Sequence, residues 1–349
     1  MNLSTVSGVK MEAIAAVVPA NTIDNRIFAK EHFVEDLTPT ITALGIEHRH
    51  VCAKPETTAL DMCVCAAEKI FASGAVAPED IGAIVFVTQT PDMLTPNNAS
   101  FAQHRLGLPT DVFSFDMVHA CAGYVCGLWN AALMAKNLGK KVLLLDGDTN
   151  SRYVSPYDKG TALLFGDAGT ATVVSPDDEA EDWTFAFATD GSQADATYVH
   201  VGYKYPIASL SSELKEYEDG SKRKDTDMYM DGATIFAHAY KNVPRIATEL
   251  MDELETSEED YDRLIAHQAN ALLVKKIGKK LGFPLDKTAL ITEEFGNSSS
   301  SCIPLIITHE KERGTEHPLI FAIGAGVTIG VGDINIAGVN NLGLSLDDF

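Results

Sequence analysis

Residues 112–138 read VFSFDMVHACAGYVCGLWNAALMAKNL. Up to Val118 the side chains are apolar and rich in strand formers. From Ala122 to about Leu138 the pattern is helical. A strand that turns directly into a helix leaves one side chain at the junction, aimed outward beside the helix N-terminus. Here that side chain is Cys121 in HACAG (119–123). First-turn N–H groups and the helix dipole favour a thiolate, so the expectation is a lowered thiol pKa and a nucleophile near neutral pH. Ala120, Ala122 and Gly123 leave room for an incoming acyl group. The rest of the chain reads as scaffold and partners for this thiol.

Working outward, the order is strand, helix, strand, helix with short Gly- or Pro-marked connections, which defines an α/β fold. Strands are expected at 9–18, 81–88, 112–118, 139–146 and 166–175, and helices at 57–73 and 97–106. The second half repeats the plan. PEDI (78–81) leading into 83–87 is matched by EEDY (258–261) leading into 263–266. Residues 140–145 are echoed by 318–323, and 166–175 by 327–337. A repeat of about 180 residues is too long for a solenoid unit and implies two similar halves, 1–176 and 177–349, joined by the charged turn PDDEAED (176–182). Residues 189–231 break the pattern as an insertion, either a solvated charged hairpin or a cover for the active site. Residues 338–349 read as a loosely held tail.

Composition narrows the function classes. The 349 residues are 46% hydrophobic and 22% charged, with a formal net charge of −22, which argues against nucleic acid or an anionic membrane surface as main partner. The N-terminus lacks a basic-then-apolar leader pattern and no apolar run approaches a membrane span, so a cytoplasmic protein is expected. The six cysteines contain no CxxC pair, so metal binding is not expected and reduced thiols are. Cys65, Cys126 and Cys302 read as small core residues.

Two further stretches bear on the thiol. LIAHQAN (264–270) puts His267 at the end of a buried strand and opens a helical run over 268–281. FGNS (295–298) puts Asn297 in a Gly turn before a helix-like run over 299–313. In a duplicated sheet, equivalent strand ends lie on one face, so Cys121, His267 and Asn297 can converge.

HACAG (119–123), DKGTALLFGDAGTA (158–171), HQAN (267–270), FGNSSSS (295–301) and GAGVTIG (324–330) together resemble, in order and spacing, the ketoacyl-acyl-carrier-protein synthase III family of thiolase-fold condensing enzymes. The resemblance runs from GIEHRHV (45–51) to the final strand. It implies a layered α-β-α-β-α body built from two βαβαβ halves, a homodimer, and an acyltransferase of lipid or fatty acid metabolism. Cys121 then resembles the acyl acceptor, and His267 and Asn297 the pair that holds a malonyl thioester carbonyl during decarboxylation. Two N–H donors aimed at that oxygen stabilise the enolate as it forms, so His267 is expected to present an N–H and Asn297 its NH2. The backbone N–H groups of Cys121 and Ala325 resemble the oxyanion donors for attack on the acyl thioester, in a reaction of the covalent, ping-pong kind. No metal or redox cofactor is implied; the substrates are acyl and malonyl thioesters of coenzyme A or acyl carrier protein.

The sequence also departs from the family. Where many members place a Trp and an Arg that sandwich the adenine of coenzyme A, residues 36–46 (DLTPTITALGI) hold neither. Leu272 stands where members commonly have an Arg. Both departures speak against simple acetyl-coenzyme A priming and favour an acyl group carried on a protein, or another acyl donor. Acidic carriers need a basic patch, and Lys275, Lys276, Lys279 and Lys280 form one stripe of a helix, with 222–224 (KRK) a second candidate; a solvated face is the alternative. Arg152 falls where the family often has a basic residue near the tunnel mouth. Two other functions stay open: a non-elongating acyltransferase acting on an alcohol or amine, and an inactive partner subunit.

Overall fold

The computed structural model describes residues 2–202 and 204–349. A six-stranded sheet runs, edge to edge, Asn340–Asp347, Val9–Pro19, Ala168–Pro176, Lys141–Asp148, Ile81–Val87 and Phe113–Met117. A five-stranded sheet runs Leu3–Val6, Trp183–Thr189, Thr328–Asp333, Pro318–Gly324 and Arg263–Ala266. Ile81–Val87 and Pro318–Gly324 are buried throughout. Their unbroken apolar sequences, IGAIVFV and PLIFAIG, suit strands covered on both faces.

Helices Gly123–Leu138 and Cys302–His309 lie between the sheets. Their Leu128, Ala132, Ile303 and Ile306 share one cluster with Val85 and Leu144 of one sheet and Phe185 and Ile320 of the other. Ala59–Ala72 and Asn98–Arg105 cover the outer face of the first sheet; Gly232–Glu253 and Ala271–Lys280 cover that of the second. The result is the expected five-layered α-β-α-β-α body of the thiolase type.

The duplication is visible in the pairing. Val9–Pro19, Ala168–Pro176, Lys141–Asp148 and Ile81–Val87 join antiparallel, antiparallel, then parallel. Trp183–Thr189, Thr328–Asp333, Pro318–Gly324 and Arg263–Ala266 do the same. The parallel strands of both halves therefore present their C-terminal ends together, and HACAG and HQAN follow two of those ends.

Three expectations change. Residues 338–349 are not a loose tail: Asn340–Asp347 is the edge strand of the six-stranded sheet, parallel to Val9–Pro19. At the other terminus Leu3–Val6 pairs antiparallel with Trp183–Thr189, so both terminal strands cross the expected 176/177 boundary. Each satisfies an edge that the opposite half leaves open. The run 299–313 is not one helix but a 3-10 turn at Ser299–Ser301, the helix Cys302–His309 and a second turn at Lys311–Arg313. Ser299 starts it at φ +59, outside the right-handed helical region.

Candidate active site

The strand Phe113–Met117 ends two residues before a 3-10 turn, Ala120–Ala122, that feeds straight into the helix Gly123–Leu138. Ala120 sits at φ +44, a left-handed conformation that costs a residue with a Cβ on the order of 1 kcal/mol or more. That bend leaves Cys121 facing a cavity of about 330 Å³. Only glycine permits the helix to start where it does, since a Cβ on Gly123 would lie 2.3 Å from Val87 Cγ1. From the other half, Gly324 rests on the nucleophile turn: a Cβ there would lie 2.8 Å from His119 O and 3.0 Å from Cys121 N. Ala325, the next residue, lines the same cavity.

His267 follows Arg263–Ala266 and is anchored by its backbone N–H on Phe321 O at 2.8 Å. Its Nδ1 lies 3.0 Å from Ser299 O. A carbonyl oxygen only accepts, so Nδ1 carries the proton, and in the neutral ring Nε2 keeps its lone pair. This differs from the expected ready-made N–H for the substrate: with the proton on Nδ1, Nε2 of the neutral ring is an acceptor. Asn297 is clamped by two backbone hydrogen bonds, its N–H to Leu164 O and its carbonyl from Gly166 N–H. Its Oδ1 accepts the Ser299 N–H at 2.9 Å, which leaves the amide NH2 as the group available to substrate. The LLFGD segment (163–167) thus fixes Asn297 through its backbone. In HQAN the neighbours are structural too: Gln268 donates to Ala266 O and Ala289 O, and Asn270 caps the helix Ala271–Lys280 by accepting from Leu273 N–H.

The electrostatics differ from the sequence expectation. Burial pushes the Cys121 thiol up to about 12, opposed by a hydrogen bond from Ser299. The helix N-terminus pulls the same way as Ser299 but does not outweigh burial. Burial also depresses His267 to about 4, so the ring is neutral at physiological pH. Thiol and neutral imidazole, not an ion pair, form the resting state.

The cavity is lined by Cys121, His267, Asn297 and Ala325 together. Thr197, Met228 and Met230 of the insertion line it as well, while Lys215–Glu216 and Lys222–Arg223 pair as an outlying hairpin. The insertion is both cover and surface arm. Arg223 is withdrawn from any docking role, because it is buried, bonded to Asp158 Oδ1 at 3.0 Å and stacked on Tyr217. Arg152 lies outside the cavity wall and donates to Lys54 O. Lys275, Lys276, Lys279 and Lys280 are exposed on a helix whose first turn, Leu272 and Leu273, lines the cavity. Cys65 is half-buried and hydrogen-bonded to Asp347, whereas Cys126 and Cys302 are buried as expected. Sequence reading missed Gln89 and Ser299, which touch Cys121 directly or through one hydrogen bond. The only signal for Gln89 was its place just past the buried strand Ile81–Val87, at the same sheet end as HACAG.

Layers, duplication and a Cys-His-Asn cavity define a thiolase-fold condensing enzyme. Sequence profiles of 3-Oxoacyl-[acyl-carrier-protein (ACP)] synthase III and of its C-terminal part match residues 115–191 and 251–336. The beta-ketoacyl-[acyl-carrier-protein] synthase III of Ruegeria pomeroyi is 33% identical, over 82% of this chain and 86% of its own. That of Nitratidesulfovibrio vulgaris is 32% identical, over 86% and 91%. The crystal structure of a 3-oxoacyl-(acyl-carrier protein) synthase from Burkholderia xenovorans superposes with a TM-score of 0.89 at 27% identity, covering 99% of both chains. The chain belongs to the 3-oxoacyl-acyl-carrier-protein synthase III family, and it is an acyltransferase of the condensing kind.

Proposed function

We propose that Cys121 takes an acyl group from a thioester and joins it to a malonyl thioester with loss of CO₂, giving a 3-oxoacyl product. The supporting observation is the single cavity that gathers Cys121, His267, Asn297 and the Gly324–Ala325 turn. In acylation the thiol proton passes to His267 Nε2 as sulfur attacks the carbonyl. The N–H groups of Cys121 and Ala325 receive the oxyanion, and the donor's thiolate leaves and is protonated by solvent. His267, now an imidazolium, and the Asn297 NH2 then donate to the malonyl thioester oxygen as CO₂ departs. Enolate charge beside the ring holds its proton there despite burial. The carbanion attacks the acyl-cysteine, and the released Cys121 thiolate takes the proton back from His267. Apart from the one solvent proton taken up by the leaving thiolate, each step uses groups of this chain and of the two thioesters.

We assign carrier-bound thioesters as the substrates. The cavity wall includes Thr40, Ala43, Leu44, Phe236 and Leu272, and Lys159 in that wall is already paired with Glu35 at 2.5 Å. Neither an aromatic platform nor a free cation within 36–46 grips a nucleotide, while the Lys275–Lys280 stripe beside the cavity suits an acidic carrier protein. We further propose a cytoplasmic homodimer formed by the edge strand Phe113–Met117, whose Phe113 and neighbouring Val118 are 61% and 68% exposed. Among the described residues no helix is long and apolar enough to cross a membrane.

The test is intact mass after incubation with acyl donors on coenzyme A and on carrier protein, followed by malonyl-carrier protein. A mass gain on Cys121 from carrier-bound donors, then a 3-oxoacyl-carrier product, is expected. Acyl release to alcohols or amines without malonyl would instead identify a non-elongating transferase, and a silent Cys121 an inactive subunit.

A further inference from the structure

Asp148 ends the strand Lys141–Asp148 and is buried below the cavity floor. Its Oδ1 accepts the Gln89 backbone N–H at 2.8 Å and the Thr88 hydroxyl at 3.1 Å; its Oδ2 accepts from Gln89 Nε2 at 3.3 Å. Burial lifts Asp148 to about 6, so above that pH it is an ionised carboxylate that only accepts, and it settles which way the Gln89 amide faces. The second hydrogen of that amide goes to Ser299 Oγ at 2.9 Å. A hydroxyl that already accepts on that side turns its own hydrogen elsewhere; the Asp148 carboxylate also faces it, but Cys121 Sγ, 3.6 Å from Ser299 Oγ, is the acceptor that stands in hydrogen-bonding geometry. Ser299 itself has little freedom to drift: its N–H is held by Asn297 Oδ1 and its C=O by His267 Nδ1.

We propose that Gln89 is a positioning residue for the nucleophile: its amide, oriented by Asp148, aims the Ser299 hydroxyl at the Cys121 sulfur, so that a thiolate meets a preset donor as it forms. The proposal rests on Cys121 being the acyl acceptor. Without Gln89 the hydroxyl becomes a free rotor, and the enclosed sulfur loses the one side-chain hydrogen bond that favours its charged form.

The experiment follows alkylation of Cys121 by iodoacetamide as a function of pH, read by mass spectrometry on the Cys121 peptide so that the other five cysteines do not intrude. Gln89→Met keeps length and volume and removes the donor. It should displace the pH–rate profile upward by about one unit, making the lower limb about tenfold slower, and should lower the acylation kcat while KM holds. Ser299→Ala should give the same displacement, and the double variant no further one, because both act on one hydrogen bond. A wild-type profile in Gln89→Met, or displacements that add in the double variant, would overturn the proposal. If Gln89→Met does not give folded protein by circular dichroism, Gln89→Asn, too short to reach both partners, takes its place with the same expected outcome. Alkylation needs no acyl donor. Failure of wild-type Cys121 to accept any acyl group would therefore overturn the condensing reaction and leave this comparison standing.

Discussion

Around Cys121, single atoms decide the outcome. Asn297→Ala removes the NH2 donor but not the thiol, so acyl-Cys121 should still form while decarboxylative condensation drops by about 10²–10³-fold, measured as CO₂ release against mass gain. Gly324→Ala places a methyl against the Cys121 N–H and the His119 carbonyl. It should abolish detectable acylation and lower the thermal midpoint by the equivalent of about 1–3 kcal/mol. His267 carries a pH signature. Its folded value near 4 lies below the ordinary 6.5, so between those limits the unfolded chain binds more protons, and stability falls as pH drops from 6.5 toward 4. That loss should reach about 3 kcal/mol by pH 4 and be missing from His267→Asn, read as the difference in thermal midpoint between neutral and acid pH. Cys121, His267 and Asn297 were legible because each stands at a strand end or Gly turn in a motif of fixed order. Their charge states were not. A thiol's pKa depends on enclosure by residues far away in the chain, and a histidine's tautomer on which atom reaches its Nδ1.

Elements tell a similar story one level up. The inner strands and the nucleophile helix were readable from unbroken apolar runs and from small residues at close approaches. The strand Asn340–Asp347 was not, because NNLGLSLD carries two asparagines, a glycine and an aspartate and borrows its regularity from the neighbour it pairs with. Its Leu342 packs on the outer cluster and Leu344 on the central one. Deleting residues 340–349 should therefore cost about 3 kcal/mol or more and uncover the Val9–Pro19 edge, giving a lower denaturant midpoint and concentration-dependent aggregation in light scattering. The charge run on the insertion misled in the opposite sense. It suggested an arm of free basic residues, yet Arg223 is held between Asp158 and the Tyr217 ring and anchors the hairpin to the loop that follows Lys141–Asp148.

For the whole molecule, the duplication was legible because the same strand-and-turn phrases recur, and the five layers follow from burying two sheets around shared helices. Two predictions belong here. Phe113→Asp with Val118→Asp should shift the assembly from dimer toward monomer in sedimentation, since both side chains stand exposed at the Phe113–Met117 edge of the six-stranded sheet. Reversing charge at Lys276 and Lys280 should raise KM about tenfold for carrier-bound substrate and leave small thioesters unaffected; equal loss for both would remove the docking role. The exchange of terminal strands was not legible, because nothing local marks Leu3–Val6 or Asn340–Asp347 as belonging to the opposite half. It has a consequence for biogenesis. In the first slab to emerge during translation, Val9–Pro19 pairs with Ala168–Pro176 but keeps its other edge open until Asn340–Asp347 has left the ribosome. A nascent chain stalled before residue 340 would hold a finished nucleophile turn in an unsealed body.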